Sequence, residues 1–253
     1  MKHISSFDEA YPVKTFFTDR DDCRPDSGWN DAGTRNGILA AALRVPVDRV
    51  FYARETHSGS VFAVTKEHPD GRIALSEESL HLGSAGGYDA LVTDMPGILL
   101  CIWTADCLPL YLYDPERQLA AIAHCGWRGI CENIVGNTVE VMKRLGGESK
   151  QMLAAFGPCI CGKCYEVSED LRLRYREIFS AEEIKELFVP RQNGKYVFDL
   201  RGAAAMKLLQ SGVSRDRIHD TGLCSYESAQ YASYRRDGSS EPFRQTLSGI
   251  VLG

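Results

Sequence analysis

Between Gly97 and Cys125 the chain reads GILLCIWTADCLPLYLYDPERQLAAIAHC: apolar and aromatic runs interrupted only by TADC and DPER. Short runs rich in Leu, Ile, Tyr and Trp, bounded by turn residues, read as strands. Directly after them the period changes. Ile130, Ile134, Val135, Val139, Met142 and Leu145 recur at helical spacing, and Gly146-Gly147 closes the segment. Strand, glycine turn and helix come in quick succession.

The rest of the chain alternates in the same way. A long polar loop is expected over 19–37 and a short helix over about 38–45, stopped by Pro46. RVFYAR and SVFAV read as strands on either side of ETHSG, and 66–88, with His68 and His81, as irregular surface. Further on, MLAAF, KYVFDL and TLSGIVLG read as strands, with helices near 168–179 and 200–211. Strands follow one another too often for an all-parallel sheet, and no composition shift marks a linker, so a single mixed α/β domain over 1–253 is expected.

The formal charge of −5 and pI near 5.7 leave no electrostatic footprint for nucleic acid or an anionic membrane surface. The opening MKHISSFDEAYPVK lacks a secretory core, and no run of ~18 apolar residues follows. A cytoplasmic protein acting on a small molecule is the expectation. The nine cysteines, an odd number, then read as reduced thiols.

Candidate chemistry starts with Cys107 and His124. A type I turn over Asp114-Pro115-Glu116-Arg117 would set these two directly opposite each other across a hairpin, with Cβ atoms ~4.5–5.5 Å apart. Alternation turns Cys125 to the other face. A thiolate and imidazoles suit zinc, and three protein ligands leave a position for water. His57, in a glycine-containing turn, is a candidate third ligand, the alternative being a solvated turn histidine. Arg128, just before the helix at about 130, stands where an anion is welcome or where it caps a carbonyl. Trp127 stacks on a flat substrate or joins the core. CICGKC at 159–164 has no second C-x-x-C or paired-histidine partner and reads as a turn, with metal or redox chemistry as the alternative.

Taken together, THSGSV (56–61), DALVTD (89–94), TADCLPLYLYDP (104–115), AHCGWRG (123–129), GPCICGKCYEV (157–167), FDL (198–200), GLCSY (222–226) and SYRRDG (233–238) resemble the YfiH/YlmD-like laccase-domain proteins, in order along the chain. This family is called multicopper polyphenol oxidoreductase and also purine nucleoside phosphorylase. The resemblance implies a four-layer αββα sandwich and a metal site of His57, Cys107 and His124. It also implies zinc-dependent phosphorolysis of adenosine, inosine or methylthioadenosine, and deamination of adenosine, with a purine nucleoside and phosphate as partners. Two departures stand out: Cys125 where the family has alanine, and Asp21, Asp22 and Cys23 after Arg20 where it has a glycine pair. Arg20 is the substrate contact this puts in question.

In this reading Asp106 is a candidate proton carrier and Arg128 the phosphate contact. Three alternatives stand beside it: a metal-independent hydrolase with Cys107 as nucleophile and His124 as base, a copper-dependent polyphenol oxidase, and a cleft that only binds a ligand.

Overall fold

The computed structural model describes residues 1–23, 29–74, 87–238 and 245–253; residues 75–86, with His81, lie outside it, as do 24–28. One sheet holds four strands in the order β1 (Val13–Phe17), β14 (Thr246–Leu252), β6 (Ile98–Thr104) and β2 (Arg49–Tyr52). A second holds seven: β13 (Ile218–Asp220), β9 (Leu153–Phe156), β7 (Leu108–Asp114), β8 (Leu119–Cys125), β5 (Ala90–Thr93), β3 (Val61–Val64) and β4 (Arg72–Ile73). A small third sheet joins β10 (Glu166–Val167), β12 (Tyr196–Phe198) and β11 (Phe188–Pro190). Both large sheets are mixed: β2 runs parallel to β6, β3 to β5 and β13 to β9, and the other pairs in these sheets are antiparallel. Around them lie α1 (Ser5–Asp8), α2 (Ala32–Leu43), α3 (Trp127–Cys131), α4 (Ile134–Arg144), α5 (Glu169–Tyr175), α6 (Ala181–Leu187), α7 (Leu200–Gln210) and α8 (Tyr234–Asp237).

The period-2 alternation of the central strands sorts their side chains into separate cores. Leu110 and Leu112 of β7, with Ala121, Ala123 and Cys125 of β8, pack under α4 and α7 against Ile134, Val135, Val139, Ala204 and Leu208. The intervening Tyr111, Tyr113, Ala120 and Ile122 point the other way and meet Val13, Phe17, Leu100, Ile102 and Ile250 of the four-stranded sheet. On the far side of that sheet Leu99, Cys101, Leu247 and Val251 pack against Leu39 and Leu43 of α2. Helix, sheet, sheet, helix: these are the four layers of an αββα sandwich. Strands covered on both faces have no polar side to show, which is why the sequence around 97–125 is so evenly apolar.

Several boundaries differ from the sequence reading. The helix expected at 38–45 starts six residues earlier, because the Asp31 side chain accepts the Thr34 N–H and caps a turn that its Gly, Thr and Asn residues alone disfavour. The helix expected at 130–145 is two, α3 and α4, separated at Asn133, whose φ of +58° breaks the right-handed path. The short α6 and the third sheet carry no periodicity long enough to read.

The hairpin register is also corrected. The loop is Pro115–Gln118 rather than Asp114–Arg117: Asp114 stays paired with Leu119, and its buried Oδ1 accepts the N–H groups of Glu116 and Arg117 at 2.9 and 3.1 Å. Pro109, not Cys107, therefore faces His124, and Cys107 lies just before β7. A slip of two residues keeps every side chain on its own face. Cys107 and His124 thus remain on one side of the sheet as diagonal neighbours.

Candidate metal centre

His57 sits in the turn between β2 and β3, which belong to different sheets, and it takes a left-handed φ of +60°. The fully buried carboxylate of Asp89 holds that turn. Its Oδ1 accepts the His57 N–H at 2.9 Å, and its Oδ2 accepts the Ser58 N–H at 2.7 Å, the Ser58 hydroxyl at 2.8 Å and the Thr56 N–H at 3.1 Å. The same Oδ1 lies 2.8 Å from Nδ1 of His124. One carboxylate thereby places both imidazoles, whose ring centroids are 4.9 Å apart, and directs Nε2 of His124 outward.

Cys107 is brought to them by Asp106, whose φ of +83° turns the chain at the mouth of β7. Ligand atoms of His57, Cys107 and His124 all lie within 4.8 Å of one another. Gly126 keeps this space open. A Cβ there would stand 3.0 Å from both Cys107 Sγ and His57 Cδ2. Cys125 points away into the helix-side core, as its place on the strand requires.

The electrostatics favour a cation among these groups. Burial alone would raise the Cys107 thiol, but the charge of His124 and hydrogen bonds with both imidazoles hold it down to about 6. Burial likewise opposes charge on His124, but the Cys107 thiolate and Asp89 raise its pKa to about 10. A thiolate beside two nitrogens is a donor set of the soft-to-borderline kind that transition-metal ions take, and three such ligands with a carboxylate behind one histidine fit a metal with an open position.

The centre lies in a cavity of about 490 Å³ whose wall includes Glu55, Trp103, Asp106, Trp127, Arg128 and Arg235. Arg128 is exposed, inside α3 rather than ahead of it, with its guanidinium 4.3 Å from the Trp127 ring centroid. Asp106 is buried, and both its oxygens are engaged: Oδ1 accepts the Ser225 hydroxyl at 2.6 Å and Oδ2 the Arg235 N–H at 2.7 Å. Arg20 pairs with Asp237 of α8 and is not among the residues of the cavity wall.

Two contributors went unrecognised in the sequence. Asp89 opens DALVTD, where it looks like an ordinary residue before a strand; only the sheet crossing at His57 gives it a role. Glu55, two residues before His57, accepts the Trp103 N–H at 2.7 Å, and burial raises its carboxyl.

Residues 31–247 match the family described as multi-copper polyphenol oxidoreductase laccase. The chain belongs to this laccase family. Its relatives include a purine nucleoside phosphorylase of Deinococcus radiodurans, 44% identical over 149 residues, which are 59% of this chain. That match spans 56% of the Deinococcus protein, little more than half its length. A protein named adenosine deaminase RL5, from an unknown prokaryotic organism, is 34% identical over 84% of this chain and 78% of its own. In fold, this laccase-family chain superposes on the YfiH protein of Bacillus licheniformis with a TM-score of 0.78, covering 95% of this chain and 93% of that one at 24% identity.

Proposed function

We propose that the protein is a zinc-dependent enzyme of purine nucleosides, phosphorolysing adenosine, inosine or methylthioadenosine and deaminating adenosine. The observation that carries this reading is the convergence of His57, Cys107 and His124 on the floor of a cavity that also presents an exposed arginine and two tryptophans. The names borne by the relatives support the substrate class.

A zinc ion held by the three residues supplies Lewis-acid polarisation when bound. The chain's own groups do the rest. Arg128 receives the phosphate at the open side of the cavity, and Trp103 and Trp127 give the purine flat walls. In phosphorolysis a phosphate oxygen bonds to ribose C1′ as the bond from C1′ to the base nitrogen breaks, and the base leaves with the electron pair. Glu55, whose carboxyl keeps its proton to higher pH than an exposed glutamate, gives that proton to the departing base. In deamination water adds to the carbon bearing the amine and ammonia leaves, with Glu55 again moving the proton. Asp106, with both oxygens engaged, acts through the Arg235 backbone and Ser225 that it holds rather than as the proton carrier.

The test is product analysis with adenosine, inosine and methylthioadenosine, each with and without phosphate, against Cys107→Ala. Ribose 1-phosphate or its methylthio analogue with free base, and inosine from adenosine, are the products expected from the wild-type protein alone. Absence of turnover of all three by zinc-loaded protein overturns the reading.

The low thiol of Cys107 beside His124 also favours a second reading, a cysteine hydrolase in which Cys107 attacks a carbonyl and His124 takes its proton. Activity surviving complete metal removal, with an acyl group trapped on Cys107, selects it. A multicopper oxidase needs further histidine ligands, and among the described residues the other grouping of metal-binding side chains contains none.

A further inference from the structure

The loop Cys159–Cys164 and the segment Leu223–Glu227 run side by side on another part of the surface. Their backbones are tied by a parallel bridge between Cys159 and Cys224, by Cys159 N–H donating to Leu223 O at 3.2 Å and by Ser225 N–H donating to Cys159 O at 3.1 Å. This pairing sets Cys161 and Cys164, a C-x-x-C, against Cys224 and Glu227, a C-x-x-E. Their four ligand atoms all lie within 4.8 Å of one another. Glu227 Oε1 is 3.4 Å from Cys164 Sγ and 3.8 Å from Cys161 Sγ. A backbone N–H, that of Cys161, donates to Cys224 Sγ at 3.3 Å, the kind of outer contact that steadies a metal-bound thiolate.

We propose that Cys161, Cys164, Cys224 and Glu227 form a second, structural zinc site. Two pairs spaced i, i+3 on adjoining turns are how closed four-ligand zinc sites are built, here with a carboxylate in the fourth place. Three thiolates select a soft or borderline ion over magnesium or calcium. The competing use of these thiols, a disulfide, leaves no role for the carboxylate oxygen that has been brought to both Cys161 and Cys164. Unlike the first centre, this one has its full complement of four protein donors, so its part is mechanical. The neighbours of its ligands in sequence, Ile160 and Tyr165, line the catalytic cavity, and Ser225 holds Asp106. The second ion clips together the two loops that make that wall.

The inference is independent of the nucleoside reading, because its test counts metal and reads spectra rather than turnover. Protein purified with its metal is expected to carry two zinc ions per chain, and Cys107→Ala, which removes the only thiolate of the first centre, to retain the second. With cobalt in place of zinc, Cys107→Ala should still show thiolate-to-cobalt charge transfer and the visible bands of a tetrahedral ion, and adding Cys161→Ser and Cys164→Ser should abolish both. Glu227→Cys in the Cys107→Ala background should keep that one equivalent and intensify the charge-transfer band. Two results overturn the proposal: Cys107→Ala protein with no thiolate-bound cobalt, or two fewer than nine titratable thiols in wild-type protein denatured without reductant.

Discussion

Replacing Asp89 by asparagine keeps the shape of the side chain but takes away its charge and one of its acceptor oxygens. The Thr56–Ser58 turn and His124 then compete for what remains, so neither imidazole is held at its angle. Zinc affinity at the first centre should fall about 10- to 100-fold, as for other outer-shell partners of metal-bound histidine, measured by competition with a chromophoric chelator. The same residue sets the acid limit of its own hold on the Thr56–Ser58 turn. Burial would raise its carboxyl, but the His124 and Ser58 bonds outweigh burial and hold it below the ordinary value. A depressed carboxylate contributes its full stabilisation above the unfolded pKa of about 4 and loses it as pH falls through the folded value. The hold of the Asp89 carboxylate on the 56–60 turn should therefore be lost only below pH ~4, visible as faster amide exchange at Thr56–Ser58. Gly126→Ala probes the other side of the centre. The glycine has φ −81°, which alanine tolerates, but the added methyl would stand 3.0 Å from Cys107 Sγ and His57 Cδ2. The expected variant melts near the wild-type temperature yet binds zinc at the first centre at least tenfold more weakly; unchanged affinity would show that the three ligands do not close on an ion beside Gly126.

At the scale of elements, the break between α3 and α4 is carried by one exposed asparagine in the left-handed region. Asn133→Ala should cost about 1 kcal/mol, because alanine keeps the steric cost of a Cβ in that region but lacks the local polar contacts of the asparagine amide, whereas Asn133→Gly, with no Cβ, should stay close to wild type; urea unfolding of the two variants separates them. The break was not legible in the sequence, since Ile130, Ile134 and Val135 keep helical spacing straight through it. What was legible were elements whose burial is two-sided or whose period is long: β5 to β8, α7 and the C-terminal strand β14. The register of the β7–β8 hairpin was misread because proline at Pro115 marks a turn without saying where it begins, and the side chain of Asp114 decided the matter by caging the loop amides. The grouping of Cys107 with His124 survived that error because alternation has a period of two. The second cysteine cluster was half legible: a search for C-x-x-C passes over C-x-x-E, and nothing in the spacing from Cys164 to Cys224 says that the two turns meet.

The whole molecule rests on a middle core that both large sheets share, and Tyr111 crosses it. Its ring is fully buried between the sheets, and its hydroxyl donates to the Phe16 carbonyl of β1 at 2.8 Å. Tyr111→Phe removes only that donor and should cost about 0.5–1.5 kcal/mol; Tyr111→Ala also removes the ring and should cost about 3–5 kcal/mol, because β7 and β14 are held by their neighbours and cannot collapse onto the void. The tryptophans report on the outcome from different layers: Trp29 and Trp103 pack with the α2-side core, Trp127 against the helix-side core. A shared middle core requires that neither sheet keep its structure after the other has lost its partner face. Unfolding of Tyr111→Ala should therefore give one transition, displaced to lower urea by the same amount whether followed through Trp127 in a Trp29→Phe, Trp103→Phe background or through Trp29 and Trp103 in a Trp127→Phe background. Two separate midpoints would mean that the helix-covered sheet with the metal centre stands without its partner, and that the αββα stack is two independently stable halves.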